Sequence, residues 1–120
     1  MKIAVTSQGP TLESEVDPRF ARARYLIVAD TETGEFHAVD NEQNLNAAHG
    51  AGVQAAQLVA GQGVEAVLTG HCGPRAFQVL TAGGIKIFNG AEGTVADAIE
   101  RLKSGELTET DGADVGSHWM

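Results

Sequence analysis

Residues 63–88 read GVEAVLTGHCGPRAFQVLTAGGIKIF, and this run decides the fold. Glu65 to Thr69 is short and largely apolar, with Gly63 before it and Gly70 after it, which predicts a strand. Gly70-His71-Cys72-Gly73 reads as a loop. Pro74 suits the first helical turn, where a missing N–H costs nothing. Ala76, Phe77 and Leu80 make one apolar face of that helix, and Gly83-Gly84 end it. Ile85 to Phe88 is the next strand. Strand, helix and strand in close succession imply parallel strands joined by a right-handed crossover.

The pattern extends in both directions. Upstream, a helix is expected from about Ala47, with Val53, Ala56, Val59 and Ala60 on one face and Gly61 and Gly63 as its stop. Asn41 to Asn46 reads as polar loop. Lys2 to Thr6 alternates and predicts a strand. Tyr25 to Asp30 is nearly all apolar and predicts a buried one. Thr31-Glu32-Thr33-Gly34 is turn chemistry, and Glu35 to Asp40 then closes a β-hairpin. Downstream, Asn89-Gly90 turns. Thr94 caps a last helix with Asp97 as its capping-box partner, and Val95, Ala98, Ile99 and Leu102 form its stripe. Together these predict one α/β domain over 1–107: a mixed five-stranded sheet ordered 3-2-1-4-5, one strand antiparallel, with helices on both faces. Residues 108–120, ending in Ser117-His118-Trp119-Met120, are expected as a flexible acidic tail.

Composition narrows the function. The net charge of −8 argues against nucleic-acid binding, which needs a basic surface. No apolar run approaches the ~20 residues of a membrane helix. The start, Met1-Lys2-Ile3-Ala4-Val5-Thr6, turns polar too soon for a secretory signal. Cys72, the single cysteine, excludes an internal disulfide and a zinc site built from several cysteines. The chain is therefore read as cytoplasmic, and it is expected to be a monomer.

The predicted topology also locates a site. In open α/β sheets, ligands bind beyond the carboxyl ends of the parallel strands, where strand order reverses. Thr6-Ser7-Gln8-Gly9, Gly70 to Gly73 and Asn89-Gly90 end three such strands. His49-Gly50-Ala51-Gly52 opens a helix on the same rim, where bare amides attract anions and glycine allows close approach. The alternative is that these glycines ease helix packing. The antiparallel strand brings Arg19, Arg22 and Arg24 nearby. Their planar forks suit a ligand with several acceptors, with Phe20 as apolar wall; otherwise they pair with Glu13, Glu15 and Asp17. His71 and Cys72, before the helix carrying Arg75, could touch a soft metal. Cys72 is alternatively a plain buried thiol or a nucleophile. A carboxylate-dependent two-metal nuclease is unlike this chain, because the first strand carries no carboxylate.

A family resemblance rests on Met1 to Thr6, on Val16-Asp17-Pro18-Arg19-Phe20-Ala21-Arg22-Ala23 and on His49-Gly50-Ala51-Gly52. It continues through Gly63 to Gly70, Gly73-Pro74-Arg75-Ala76-Phe77, Leu80 and Ala82 to Phe88. Over about Met1 to Leu102 the chain resembles the dinitrogenase iron–molybdenum cofactor biosynthesis family. The family often shows Phe-Gly where this chain has Phe20-Ala21. The resemblance implies a ribonuclease-H-like α/β fold without nuclease or other enzymatic activity, and non-covalent carriage of an anionic metal–sulfur cluster. The length, the single cysteine and the His118-Trp119 ending look most like the family's small stand-alone members. That implies a molybdenum–copper sulfide cluster, with an Fe–Mo–S or Fe–S cluster as the alternative, and P-loop ATPases of the chromosome-partitioning type as partners.

The contact set expected on this reading is Arg19, Phe20, Arg22, Arg24, His49, Gly50, Gly52, Gly70, His71, Cys72, Gly73 and Arg75, with His71 and Cys72 as candidate metal ligands. The chemistry agrees with it. A thiomolybdate-type cluster brings its own sulfides and needs positive charge, amide donors and an apolar wall. A protein-ligated iron–sulfur cluster takes four thiolates. Two other readings stay open: an adaptor whose rim binds an ATPase or a nucleotide, and a thiol-dependent enzyme using Cys72.

Overall fold

The computed structural model describes residues 1–45 and 50–110. The strands are β1 (Lys2–Ser7), β2 (Tyr25–Asp30), β3 (Phe36–Asp40), β4 (Ala66–Leu68) and β5 (Lys86–Phe88). The helices are α1 (Glu42–Leu45), α2 (Ala51–Ala60), α3 (Pro74–Ala82) and α4 (Val95–Lys103). The sheet runs β3-β2-β1-β4-β5. β2 is antiparallel to both neighbours, while β1, β4 and β5 are parallel, so one strand is reversed, as expected.

The register assigns each strand residue to a face. Ala4 lies beside Val28 and Val67, and these side chains pack with Ala55, Ala56, Val59, Ala76 and Leu80 of α2 and α3. Ile3 and Val5 lie beside Ala29, Ile27, Ala66 and Leu68, and this face packs with Val95 and Ala98 of α4. β1 and β4 are apolar on both faces because helices cover both. Among the described residues no helix is long and apolar enough to cross a membrane.

Local chemistry explains the elements. Gly34 closes the β2–β3 turn at φ 79°, a conformation costly for other residues. The Thr94 hydroxyl accepts the Asp97 N–H, and the Asp97 carboxylate accepts the Thr94 N–H, which completes the predicted capping box.

Three boundaries differ from the expectation. The supposed loop after β3 contains the single turn α1, because Asp40 Oδ1 accepts the Glu42 N–H at 2.7 Å and Asn41 O accepts the Asn44 N–H at 3.0 Å. The buried stripe of α2 is Ala51, Ala55, Ala56 and Val59; Ala60 is exposed and Val53 only partly covered. At the other end, Glu109 bridges antiparallel to Phe88, and the Thr110 N–H donates to Ile87 O at 2.8 Å. Pairing with β5 thus continues beyond Leu107. Most of the expected tail, with His118 and Trp119, lies outside the described residues, as does His49.

One junction positions the rim. The chain returns from β1 by an antiparallel bridge between Ser7 and Val16. The buried Thr6 accepts the Asp17 N–H on its carbonyl at 2.9 Å, and its hydroxyl donates to Asp17 O at 2.7 Å. The same hydroxyl lies 2.9 Å from Thr69 Oγ1 at the end of β4. Pro18 O then accepts the His71 N–H at 2.7 Å, and the Phe20 N–H donates to His71 O at 3.1 Å. Gly70 makes this contact possible, since a Cβ there would stand 2.6 Å from both Cα and O of Pro18.

Gly70→Ala should therefore destabilise the protein by roughly 1–3 kcal/mol or more in urea unfolding, because the obstructing atoms are backbone. A neutral result would show that the junction can shift. Thr94→Ala should cost about 1 kcal/mol through the lost cap. The Thr94 N–H holds the Asp97 carboxyl below its usual range. Its contribution is then present at neutral pH and is lost as pH falls through the lowered value. Acid titration of Asp97→Asn should give a flatter stability curve below about pH 4 than that of the wild type.

Candidate functional site

The junction brings three segments around one cleft of about 500 Å³. The segment after Pro18 contributes Arg19, Phe20, Ala21 and Arg22. The first turn of α2 contributes Gly52. The β4–α3 loop and the start of α3 contribute His71, Gly73, Pro74, Arg75 and Ala76.

The first turns of two helices line this cleft, α2 through Gly52 and α3 through Pro74, Arg75 and Ala76. α2 has Gly50 as N-cap, at φ 73°, and no side-chain cap among the described residues. Its first intrahelical donor is the Gln54 N–H, so the amides of Ala51, Gly52 and Val53 precede the ladder. α3 has Gly73 as N-cap, again without a side-chain cap, and Pro74 follows. Its first intrahelical donor is the Phe77 N–H. Uncapped first turns carry partial positive charge and favour anions.

The side chains add full charges of the same sign. Arg19 is mostly exposed and holds the buried Asp17 carboxylate through Nε at 3.2 Å and Nη2 at 3.3 Å. The hydrogen bond and the charge of Asp17 push the Arg19 pKa above its usual value. Asp17 also accepts the Arg19 backbone N–H at 2.9 Å, so one carboxylate fixes both the backbone and the guanidinium. Arg22 donates through Nη1 to the carbonyls of Asn44 at 3.0 Å and Leu45 at 3.2 Å, in the last turn of α1. Arg75 is exposed and makes no ion pair among the described residues. His71 is exposed on the rim. Phe20 is 2% exposed and supplies the apolar wall.

Several expected site residues have other placements. Arg24 is drawn away by Asp40 at 2.6 Å and Glu42 at 3.7 Å, and its guanidinium lies 4.5 Å from the Tyr25 ring centre. Gly70 sits beneath Pro18 and does not line the cleft. Gly50 caps α2 and does not line the cleft. Cys72 is fully buried in the core shared with Phe20 and Ala76, with Sγ 3.7 Å from Gly73 O, so its thiol is not presented to the cleft. Of the expected partners Glu13, Glu15 and Asp17, only Asp17 pairs with an arginine among the described residues. No group of three or more His, Cys, Asp or Glu side chains converges among them to hold a bare metal ion.

One positioning residue, Asn41, was not foreseen from the sequence, whereas the pairing of Asp17 with an arginine was one of the readings left open. Asp17 braces Arg19. Asn41 is wholly buried and donates to Ala23 O at 2.8 Å, while its Oδ1 accepts from Asn44 at 2.5 Å. It thereby holds the 21–24 segment against α1. The sequence signal for Asp17 was its place before proline and two residues before an arginine. Asn41 carried none.

Residues 1–105 match the family described as dinitrogenase iron-molybdenum cofactor. The apo form of the orange protein from Desulfovibrio gigas superposes with a TM-score of 0.92 at 43% identity, covering 95% of this chain and 96% of that one. The solution structure of a Thermotoga protein provisionally described as NifB superposes with a TM-score of 0.80 at 37% identity, covering 95% and 98%. An uncharacterized protein of Methanocaldococcus jannaschii is 28% identical over 109 residues, 89% of each chain. The chain belongs to the dinitrogenase iron–molybdenum cofactor family.

Proposed function

We propose that this chain is a non-covalent carrier or scaffold for an anionic metal–sulfur cluster, held in the cleft between the Arg19–Arg22 segment, α2 and α3. The observation that carries this reading is that the first turns of α2 and α3, with no side-chain cap among the described residues, line one cleft together with Arg19, Arg22, Arg75 and an apolar wall. In a chain of net charge −8, that is a local concentration of positive potential. The family's description, which names an iron–molybdenum cofactor, supports the same class of cargo.

The residues fit a cluster that arrives with its own sulfides. Guanidinium and amide N–H groups donate to such sulfides from outside, Phe20 and Pro74 cover its apolar flank, and His71 stands where it can reach a metal. The cargo proposed is a molybdenum–copper sulfide. The chain performs no bond chemistry in this reading. The burial of Cys72 weighs against a thiol-dependent enzyme, because a reactive thiolate needs exposure and nearby positive charge.

Incubating the apo-protein with tetrathiomolybdate and Cu(I) should give a coloured species that stays with the protein through gel filtration. Absence of retained colour with this cluster and with Fe–Mo clusters would sink the proposal. Arg75→Glu and Arg19→Gln should each weaken retention about tenfold, near 1.4 kcal/mol. Stability in urea should change by roughly 0.5 kcal/mol or less for Arg75→Glu, as for a surface site, and by about 1 kcal/mol or more for Arg19→Gln, which leaves the buried Asp17 carboxylate without its ion pair. Equal losses of retention and stability in Arg75→Glu would mark that arginine as structural. Cys72→Ala should leave retention within about threefold of wild type. A complete loss would return the cysteine to the contact set.

A further inference from the structure

The two edges of the sheet differ. Along β5, Glu109 bridges to Phe88 and the Thr110 N–H donates to Ile87 O, so the chain itself pairs with that edge. β3 is the other edge, and among the described residues no strand lies beyond it. Its pairing with β2 fixes which of its groups face outward. The Asp30 N–H donates to Glu35 O at 2.9 Å, and the Asn41 N–H donates to Arg24 O at 3.0 Å. Bonded and unbonded pairs alternate along an antiparallel ladder. Ala29–Phe36, Ile27–Ala38 and Tyr25–Asp40 are therefore the unbonded pairs. The N–H and C=O groups of Phe36, Ala38 and Asp40 point off the sheet.

The side chains around these groups are uncovered. Phe36 is 42% exposed, the one exposed large apolar side chain among the described residues. Phe36 and Ala38 lie beside Ala29 and Ile27 on the α4 face, and neither joins the core there. Glu35 and His37 are exposed on the opposite face. A cavity of about 360 Å³ at this end of the hairpin is lined by Lys2, Asp30, Thr33, Glu35, Phe36 and His37. Residues 30–42 hold five carboxylates and no lysine or arginine. Arg24 answers Asp40 and Glu42, and the N-terminal amine lies near Asp30 and Glu32. Glu35 makes no ion pair among the described residues.

Charge decides what can pair with this edge. A second copy brings the same net charge of −8 and the same carboxylates. The twofold register that uses all three outward residues centres on Ala38, and it sets Asp40 of each copy against Phe36 of the other. A cationic strand is attracted where a second copy is repelled. Sheet edges take up extended peptides through main-chain bonds, and alternate side chains give the specificity.

We infer that the β3 edge is a docking site for an extended cationic segment of a partner protein, which joins the sheet as a further strand. Its apolar residues bond to Phe36 and Ala38 and cover them. Its lysines or arginines, on the other face, meet Glu35. None of these residues lines the cleft, so the inference is independent of the carrier reading.

The test uses the full chain and a labelled peptide of alternating lysine and valine, with binding read by fluorescence anisotropy. Three further peptides serve as controls: one with glutamate for lysine, one with N-methylated valines, and one with the same residues in scrambled order. The lysine–valine peptide should bind saturably, and each control should bind at least about tenfold more weakly. Binding should weaken as salt rises. Amide exchange at Phe36 and Ala38 should slow in the complex. Glu35→Lys should weaken binding about tenfold. Ala38→Pro should abolish it while the chain still unfolds cooperatively, because the lost N–H faces away from β2 and proline is tolerated on edge strands. If Ala38→Pro does not fold, the N-methylated peptide decides, since it leaves the protein unchanged. No binding of the lysine–valine peptide would overturn the inference. Equal binding of the N-methylated peptide, or unchanged binding by folded Ala38→Pro, would overturn it by showing attraction through charge alone. A concentration-dependent dimer that Ala38→Pro dissolves would assign the edge to a second copy and overturn it too.

Discussion

The close passage of the Pro18 backbone over Gly70 is the constraint on which the site depends. Two main-chain hydrogen bonds, His71 N–H to Pro18 O and Phe20 N–H to His71 O, tie the arginine segment to the loop after β4. They can form only where position 70 has no side chain. The buried hydroxyl of Thr6, set between Asp17 and Thr69, locks the same junction from beneath. Leaving those polar groups unpaired away from water would cost more than an ordinary surface contact gains. Three segments far apart in sequence therefore meet at one cleft because backbone groups at the sheet's rim are mutually satisfied there.

The arginines divide according to what surrounds them. Arg24 is held by Asp40 and Glu42 at the hairpin edge, where it steadies the end of β3. Arg22 both lines the cleft and caps carbonyls of α1, so it belongs to frame and site together. Arg19 is aimed by a buried carboxylate while most of its surface remains in water. Arg75 has no ion-pair partner among the described residues. Positive charge held at a helix N-terminus is unfavourable for the helix dipole alone. In the proposed carrier, a bound anion would offset that cost.

Much of the architecture was legible from pattern. The run from residue 63 to residue 88 shows strand, helix and strand by its apolar spacing and its glycine and proline punctuation. The hairpin is marked by Gly34 and the last helix by its capping box. Strand order followed because parallel neighbours need crossovers and a hairpin needs none. The rim location followed from strand order. The single turn α1 was hidden in a polar stretch, since it depends on Asp40 and Asn41 accepting particular amides, and not on any apolar period.

The sequence by itself determined the fold class, the strand order and the end of the sheet where the cleft lies, because these depend on periodicity and chain connectivity. It also determined that the rim would carry arginines and glycines. Only the tertiary structure decided which of them share one cleft. Gly52 and Gly70 look alike in sequence, yet one lines the cleft and the other admits a neighbouring backbone. Cys72 and His71 are adjacent, yet the thiol enters the core and the imidazole faces out. Alternation of adjacent residues between inside and outside is set by where the chain packs, and at a loop no period in the sequence announces it.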